Sequence, residues 1–113
     1  MLIVVRFGPV PSDFPARAES ALRVLAARPG FIHGEIGRST DTGVDWVLVL
    51  SWTSVGAWRR ALSSFEVKTE AVPLLSLGLD QPSAYEVLLA HDGDDLRHFG
   101  SDLAGDVDQA PGR

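Results

Sequence analysis

The sequence predicts a single α+β domain in the order strand, helix, strand, strand, helix, strand. Three observations predict this order. An apolar run opens the chain at residues 2–7, two later segments carry apolar residues at helical spacing, and a pair of apolar strands lies between those segments. The order βαββαβ is the split βαβ plan of a ferredoxin-like fold with an antiparallel sheet, and 113 residues suffice for one such domain.

The first strand and the first helix follow from the first thirty residues. Leu2–Phe7 is a largely apolar run, which is typical of a strand buried on both faces. Ser12 or Asp13 can cap the helix that follows, because a short polar side chain accepts a hydrogen bond from the free amides of a helix start. The apolar stripe of this helix consists of Phe14, Ala18, Ala21, Leu22 and Leu25. Proline cannot continue a helix and glycine can turn the chain, so Pro29-Gly30 ends it.

A hairpin follows, with strands at Phe31–Arg38 and Trp46–Trp52 and a turn at Thr40–Asp45. In the second strand every other residue is a tryptophan or leucine, and the residues between them are Val47, Val49 and Ser51. Both faces of the sheet are therefore largely apolar, yet two helices can cover only one of them. We expect a second copy of the chain to cover the other face, which predicts a homodimer.

The second helix begins at a cap formed by Thr53 or Ser54. Its apolar stripe consists of Trp58, Ala61, Leu62 and Phe65. Ser63-Ser64 marks a break, and a short helical segment then runs to a stop at Pro73. An apolar loop at Leu74–Leu79 leads to the last strand, Ser83–Leu89.

These elements complete a domain over residues 1–90, and residues 91–113 read as an acidic tail with little fixed structure apart from one turn near Leu96–Phe99. Six aspartates and two arginines give the tail a net charge of −4 out of −5 for the chain, so the folded body is nearly neutral. A nearly neutral body lacks the basic face that phosphate backbones require, and we expect no nucleic acid partner.

Other classes of chemistry are disfavoured by residues that the chain lacks. It contains no cysteine, which excludes thiolate metal sites and cysteine nucleophiles. No group of His, Asp and Glu has metal-ligand spacing, and no glycine-rich phosphate loop follows a strand. The opening apolar run is too short for a signal peptide or a membrane span. We therefore expect a cytoplasmic protein that needs no cofactor or metal and has no membrane partner.

Four segments together resemble the antibiotic biosynthesis monooxygenase family. They are Arg28–Phe31 with its Pro-Gly pair, a strand ending at Trp52, the helical segment Trp58–Ser64, and Pro82–Leu88. The resemblance spans about residues 1–90. It implies a ferredoxin-like domain that pairs into a dimeric α+β barrel. It also implies oxygenation of polycyclic phenols or quinols without a cofactor, although haem-degrading members and members of no known reaction exist.

The resemblance can be compared at single positions with the functional residues of the family. In the cofactor-independent members an Asn stands four residues before the helix Trp and a Tyr stands six after it, and both help to hold the substrate. Trp58 matches that Trp, whereas the other two positions are Ser54 and Ser64 here. Haem-degrading members have an iron-ligating His ten residues after the Trp, and Lys68 occupies that place. A protonated lysine has no lone pair for iron, so haem degradation is disfavoured.

We predict two catalytic residues, Trp58 and His33. The indole of Trp58 can stack on an aromatic substrate and donate its N–H to a substrate oxygen, although an aromatic residue on an apolar stripe is more often core. The imidazole of His33 can accept a phenolic proton near neutral pH, although on a strand beside Glu35 it can equally be exposed. We predict that Arg6, Phe7 and Phe65 bind the substrate. Arg6 follows an apolar run, so it either pairs with an acid or points into a polar pocket.

Three functions remain open at the level of the sequence. The first is a monooxygenase that acts on a small aromatic or polycyclic phenol or quinol with O₂ and without a cofactor. The second is a dimer on the same scaffold that binds a small ligand, or serves in stress, without catalysis, since a fold does not fix a function. The third and weakest is an isomerase or cyclase, which would need an acid and a base such as the nearby pair His33 and Glu35.

Overall fold

The protein is described by a computed structural model that covers residues 1–101 and residue 103. Its elements, in chain order, are β1 (Leu2–Phe7), α1 (Phe14–Ala26), β2 (Phe31–Arg38), β3 (Trp46–Trp52), α2 (Val55–Ser63), α3 (Phe65–Glu70), α4 (Val72–Leu75), β4 (Ala84–Tyr85), β5 (Leu89–Asp92) and β6 (Asp95–His98). The first four strands form one antiparallel sheet in the order β2-β3-β1-β4. The predicted α+β class and ferredoxin-like order are confirmed.

The sheet has an inner face, which packs against α1 to α4, and an outer face, which carries no element in the described chain. Side chains alternate between the two faces along each strand. The inner face holds the largest buried side chains of the sheet, namely Ile3, Phe7, Leu48, Leu50 and Trp52. The helices contribute the matching apolar stripe of Phe14, Ala18, Ala21, Leu25, Ala57, Trp58, Ala61, Val67, Ala71 and Leu74.

The outer face is built in rows by the strand register. Its residues are Leu2, Val4 and Arg6 of β1, Val47, Val49 and Ser51 of β3, and His33, Glu35 and Gly37 of β2. Val49 lies between Val4 and Glu35 in the middle row, and the apolar side chains of this face are only partly buried. The expectation that β1 is buried on both faces is therefore wrong for the single chain, because only its inner face is covered.

The helix boundaries follow from caps and from one proline. Ser54 begins α2, since its side chain accepts a hydrogen bond from the amide of Ala57 at 3.0 Å. Ser64 interrupts the helix with an extended backbone and caps α3, which confirms the predicted break. The predicted stop at Pro73 is wrong, because Pro73 lies in the first turn of α4, where no amide donor is needed. Neither Ser12 nor Asp13 caps α1 with its side chain.

A loop covers the edge of β1 beyond the short strand β4. The amide of Leu79 donates to the carbonyl oxygen of Arg6 at 2.7 Å, and the amide of Val4 donates to the carbonyl oxygen of Ser83 at 2.7 Å. Only Ala84 and Tyr85 of the predicted last strand pair with β1. The hydrogen bonds of the loop therefore extend the edge pairing that β4 begins. The prediction of a strand over the whole of Ser83–Leu89 is wrong.

A second, two-stranded sheet is formed by β5 and β6, with Gly93 at positive φ in its turn. The expected tail without fixed structure is wrong for these residues, because the Asp-Gly-Asp segment turns the chain back on itself. Residues 102 and 104–113 of the predicted tail lie outside the described residues, and the domain boundary after residue 90 stays a prediction. In the part of the chain described, no helix has the length and apolar character to cross a membrane.

Candidate functional site

Aromatic side chains fill the space between the sheet and the helices. At one end, Phe14 packs against Phe7 with ring centroids 4.9 Å apart and against Trp46 at 5.2 Å. At the other end, Trp52 packs against Phe31 at 5.4 Å and against Trp58 at 5.5 Å. We refer to this second group, Phe31, Trp52 and Trp58, as the aromatic cluster. The two ends are about 20 Å apart, because Trp46 and Trp52 are six positions apart along β3.

The aromatic cluster contains a polar atom without a partner. Trp52 is 1% exposed, and its indole Nε1 has no hydrogen-bond acceptor among the described residues. A buried N–H that makes no hydrogen bond costs about 1–3 kcal/mol, because it loses its bonds to water. Trp58 is 8% exposed and packs against the same ring. The cluster is therefore a closed and tightly packed part of the core.

An open hollow lies at the opposite end of the sheet, where β1 ends and β3 begins. Its volume is about 510 Å³. The side chains that matter for its chemistry are Arg6, Phe7, Arg38, Asp45, Trp46 and Leu79. We refer to it as the arginine hollow. Its lining includes cationic, aromatic and aliphatic residues, a composition that suits an anionic aromatic molecule.

The positions of the two arginines follow from the sheet. Arg6 comes next to last in β1 and Arg38 ends β2, and β3 lies between them with Val47 opposite Arg6 and Trp46 opposite Arg38. The guanidinium of Arg38 lies over the indole of Trp46, 5.7 Å from the ring centroid. This cation–π contact holds a long side chain in place at the rim.

Neither arginine forms an ion pair within residues 1–101 and 103, and the same holds for Arg59 and Arg60 of α2, whereas Arg17, Arg23, Arg28 and Arg97 each lie beside an aspartate or glutamate. Asp45 supplies the acidic group of the hollow. One of its carboxylate oxygens accepts a hydrogen bond from the hydroxyl of Thr42 at 3.0 Å, in the turn between β2 and β3. The lining residues thus include two arginines, whose side chains leave opposite faces of the sheet, and one aspartate, so the net charge of the lining is positive and favours an anion.

Solved structures of other proteins share this architecture. SnoaB, a cofactor-independent oxygenase from Streptomyces nogalater, matches with 26% identity and a TM-score of 0.62, over 77% of this chain and 94% of SnoaB. The chain has the fold of the antibiotic biosynthesis monooxygenases. Rv0793 from Mycobacterium tuberculosis matches at 23% identity and a TM-score of 0.60, over 83% of this chain and 97% of Rv0793. The resemblance seen in the sequence is confirmed at the level of structure.

A proposed antibiotic biosynthesis monooxygenase from Chloroflexus aurantiacus has the same fold, with a TM-score of 0.62 at 14% identity, over 83% of this chain and 97% of that chain. No family model matches the sequence, and no curated protein matches it. The relationship is thus detected through the structure. Sequence identity to these antibiotic biosynthesis monooxygenase structures is low, so the residues of the site must be judged on their own geometry.

On this monooxygenase fold, two of the residues predicted to bind substrate come together. Arg6 and Phe7 are neighbours in β1, and both line the arginine hollow. Phe65, the third, is 77% exposed at the start of α3 and lines none of the hollows that we find in the described chain. Alternation along β1 puts the side chain of Arg6 on the outer face, where Arg6 also lines a second hollow with Leu2 and Val4, and the side chain of Phe7 on the inner face, where it is 1% exposed.

The two residues predicted to be catalytic lie on opposite faces of the sheet. Trp58 belongs to the aromatic cluster on the inner face. His33 pairs with Ser51 on the outer face, and its Nε2 is 3.6 Å from a carboxylate oxygen of Glu35. The side chain of His33 is 63% exposed. The fold therefore does not bring His33 and Trp58 into one pocket.

Arg38 and Trp46 are the important residues of the hollow that the sequence did not indicate. Both stand at strand ends, where the sequence alone indicates a solvated side chain for an arginine and a core side chain for a tryptophan. The register of the hairpin, which puts them opposite each other, is the signal that could have found them. Among the described residues, no three His, Asp or Glu side chains come together in an arrangement suited to a metal ion.

Proposed function

We propose that the protein is a monooxygenase that needs no cofactor, acts on a small aromatic or polycyclic phenol or quinol, and binds it in the arginine hollow. The observation that carries the proposal is an open hollow lined by Arg6, Arg38 and Trp46, in which the guanidinium of Arg38 lies over the indole of Trp46. The fold that the chain shares with SnoaB, a cofactor-independent oxygenase, supports the same reaction class. Arg6 and Phe7 bind the substrate in this proposal, as the sequence predicts.

The proposed chemistry uses the substrate as its own reductant. A guanidinium beside the hydroxyl favours the phenolate, which is the electron-rich form of the ring. The phenolate passes one electron to O₂, and the resulting radical and superoxide combine at a ring carbon ortho or para to the oxygen. The hydroperoxide then loses water. A phenol and O₂ thus give a quinone and H₂O, and the electrons come from the ring.

The protein contributes position and electrostatics to this reaction. In this proposal an arginine of the lining, Arg6 or Arg38, stabilises the negative charge of the phenolate, and the ring packs beside Trp46 and Leu79. The catalytic roles predicted for Trp58 and His33 stay predictions. Trp58 packs against Trp52, which stands at the end of β3 opposite the hollow, so a role for it would require a substrate that enters the aromatic cluster.

Oxygen uptake tests the proposal. We expect hydroxylated naphthalenes such as 2-naphthol to consume O₂ with the protein and to yield the quinone. Arg6→Gln should lower kcat/KM about tenfold or more, because a hydrogen bond to a charged group contributes about 1.5–3 kcal/mol. Arg23→Gln, which removes the same charge from a distant helix, should have no effect. Uptake that survives Arg6→Gln and Arg38→Gln but is lost in Trp58→Phe or His33→Ala would move the site away from the hollow.

We also propose that the protein is a homodimer that buries the outer face. Val4, Val47 and Val49 form a half-buried apolar patch there, and no described element covers it. Covering this patch with a second copy is self-complementary and leaves Arg6 at the end of the contact. Val49→Asp should convert the dimer to a monomer in light scattering at micromolar concentration, whereas Thr42→Asp in the exposed turn should not. The cytoplasmic location and the lack of nucleic acid and membrane partners stay predictions.

One observation favours a second function, the binding of a small aromatic ligand without turnover. Ser54 and Ser64, which stand where related oxygenases have an Asn and a Tyr, both cap helices. Their hydroxyl oxygens accept backbone amide hydrogen bonds, which leaves them poorly placed to hold a substrate. Saturable binding of 2-naphthol with no O₂ consumption would establish this second function, and quinone formation would exclude it.

A further inference from the structure

We infer that the outer face of the sheet holds a second binding site, which takes a small aromatic carboxylate. The site is a hollow of about 330 Å³ beside the edge where β1 pairs with β4, and we refer to it as the outer hollow. Its lining consists of Leu2, Val4, Arg6, Gln81, Pro82 and Tyr85. The inference goes beyond the reaction proposed above and does not depend on it.

The strand register brings the side chains of the outer hollow to one side of the sheet. Leu2, Val4 and Arg6 are alternate residues of β1, so all three project from the outer face. Tyr85 is directly opposite Leu2 in the ladder between β1 and β4, which puts its side chain on the same face. One cation, one aromatic ring and two aliphatic side chains therefore surround the same space.

The cation of the outer hollow is the exposed side chain of Arg6. No carboxylate of the described residues lies within ion-pair distance of its guanidinium. Glu35 is acidic and lies on the same face, but it belongs to β2, and β3 separates it from β1. A carboxylate accepts two parallel hydrogen bonds from a guanidinium, and the side-chain amide of Gln81 adds a further donor to the lining. A single carboxylate is thus the matching head group.

The remaining surface of the outer hollow is apolar and accessible. The ring of Tyr85 is 46% exposed, and its hydroxyl donates a hydrogen bond to the carbonyl oxygen of Pro82 at 3.0 Å, which restrains the position of the ring. Leu2 and Val4 are half-buried, so part of each side chain is open to a ligand. A flat ring can pack on these surfaces, whereas a phosphate or an aliphatic dianion would place a second charge against them.

The outer hollow lies beside the apolar patch that we propose as the dimer contact. Val4 belongs to both, while Arg6, Gln81 and Tyr85 lie on the β4 side of the patch. The ligand would therefore bind at the border of that contact, and the experiment includes the monomeric variant Val49→Asp.

The test is a methyl NMR titration with benzoate, with benzamide as the uncharged analogue of the same shape and acetate as the carboxylate without a ring. We expect benzoate to shift the methyl resonances of Leu2 and Val4 in a saturable way, while those of Leu48 on the inner face stay in place. Benzoate should bind about tenfold more tightly than benzamide or acetate, because only benzoate offers both a charge for Arg6 and a ring for Tyr85.

Variants assign the binding to the outer hollow. The preference for benzoate over benzamide should fall below about threefold in Arg6→Gln, and the affinity for benzoate should fall about fivefold in Tyr85→Ala. Arg38→Gln, which alters the arginine hollow alone, and Arg23→Gln, which removes the same charge from a distant helix, should each leave the affinity within about twofold. Thermal unfolding checks that each variant is folded.

Equal binding of benzoate and benzamide, or no shift of the Leu2 and Val4 resonances at millimolar benzoate, would overturn the inference. A loss of affinity in Arg23→Gln equal to that in Arg6→Gln would overturn it too, because the effect would then be one of net charge. Binding to Val49→Asp but not to the unmodified protein would show that a second copy fills the hollow, which also contradicts the inference. None of these measurements involves O₂, so the oxygenase proposal stands or fails separately.

Discussion

Gly30 is the position at which one added methyl group should do the most damage. Its φ is +92°, a backbone conformation that side chains disfavour, and a Cβ there would lie 2.5 Å from the Cβ of Ala57 and 2.8 Å from the hydroxyl oxygen of Thr53. The conformation costs about 1 kcal/mol or more, and forcing a methyl group into a packed contact costs about 1–3 kcal/mol. We expect Gly30→Ala to lower the free energy of unfolding by about 3 kcal/mol.

Gly43→Ala is the matched control for this prediction. Gly43 also has positive φ, +73°, and a Cβ there would meet nothing within 4 Å. Gly43→Ala should lower the free energy of unfolding by the conformational cost alone, about 1 kcal/mol. At about 4 °C per kcal/mol for a domain of this size, the melting temperatures should fall by about 12 °C and 4 °C. Equal losses in the two variants, measured by circular dichroism and by urea unfolding, would refute the close approach of Gly30 to Ala57 of α2.

Three further changes test the core, a helix cap and the hollow. Trp52→Phe should change the free energy of unfolding by less than about 1 kcal/mol in urea unfolding, because the loss of an unpaired N–H offsets the loss of ring volume. Ser54→Ala should cost about 1 kcal/mol in the same assay, while Ser63→Ala, which removes no cap, should cost less than about half as much. Trp46→Leu should weaken binding of 2-naphthol several-fold in calorimetry, because it removes an aromatic wall of the hollow and the stack that holds Arg38; unchanged affinity would show that Trp46 takes no part in binding.

The sequence predicts most of the fold because its signals are periodic and local. The stripe that begins at Phe14 and the alternation of Trp46–Trp52 each require one secondary structure, and both match the structure to within two residues. The cap at Ser54 and the break at Ser64 are equally local. Pro73 misled the prediction, because proline also suits the first turn of a new helix, and only the position of α4 distinguishes the two cases.

The C-terminal hairpin and the arginine hollow were harder to predict from the sequence, for two different reasons. The segment around Gly93 was read as a tail because it is acidic, although Gly93-Asp94 between two short strands is itself a hairpin signal. The arginine hollow depends on which residues lie opposite each other in the sheet. The stack of Arg38 on Trp46 needs the register of β2 against β3, and the wall at Leu79 needs the loop beside β1. Neither the register nor the position of the loop can be predicted from the local periodicity of the sequence.

The hydrogen bonds that fasten the loop of Leu79 to β1 also affect the cost of recognition. The amide of Leu79 and the carbonyl oxygen of Arg6 join the wall of the hollow to the strand that carries its first cation, and the bond between Val4 and Ser83 anchors the far end of the same loop. A loop that is already fastened loses little conformational freedom when a ligand arrives. The free energy of each ligand contact is then available for affinity instead of being consumed in ordering the chain.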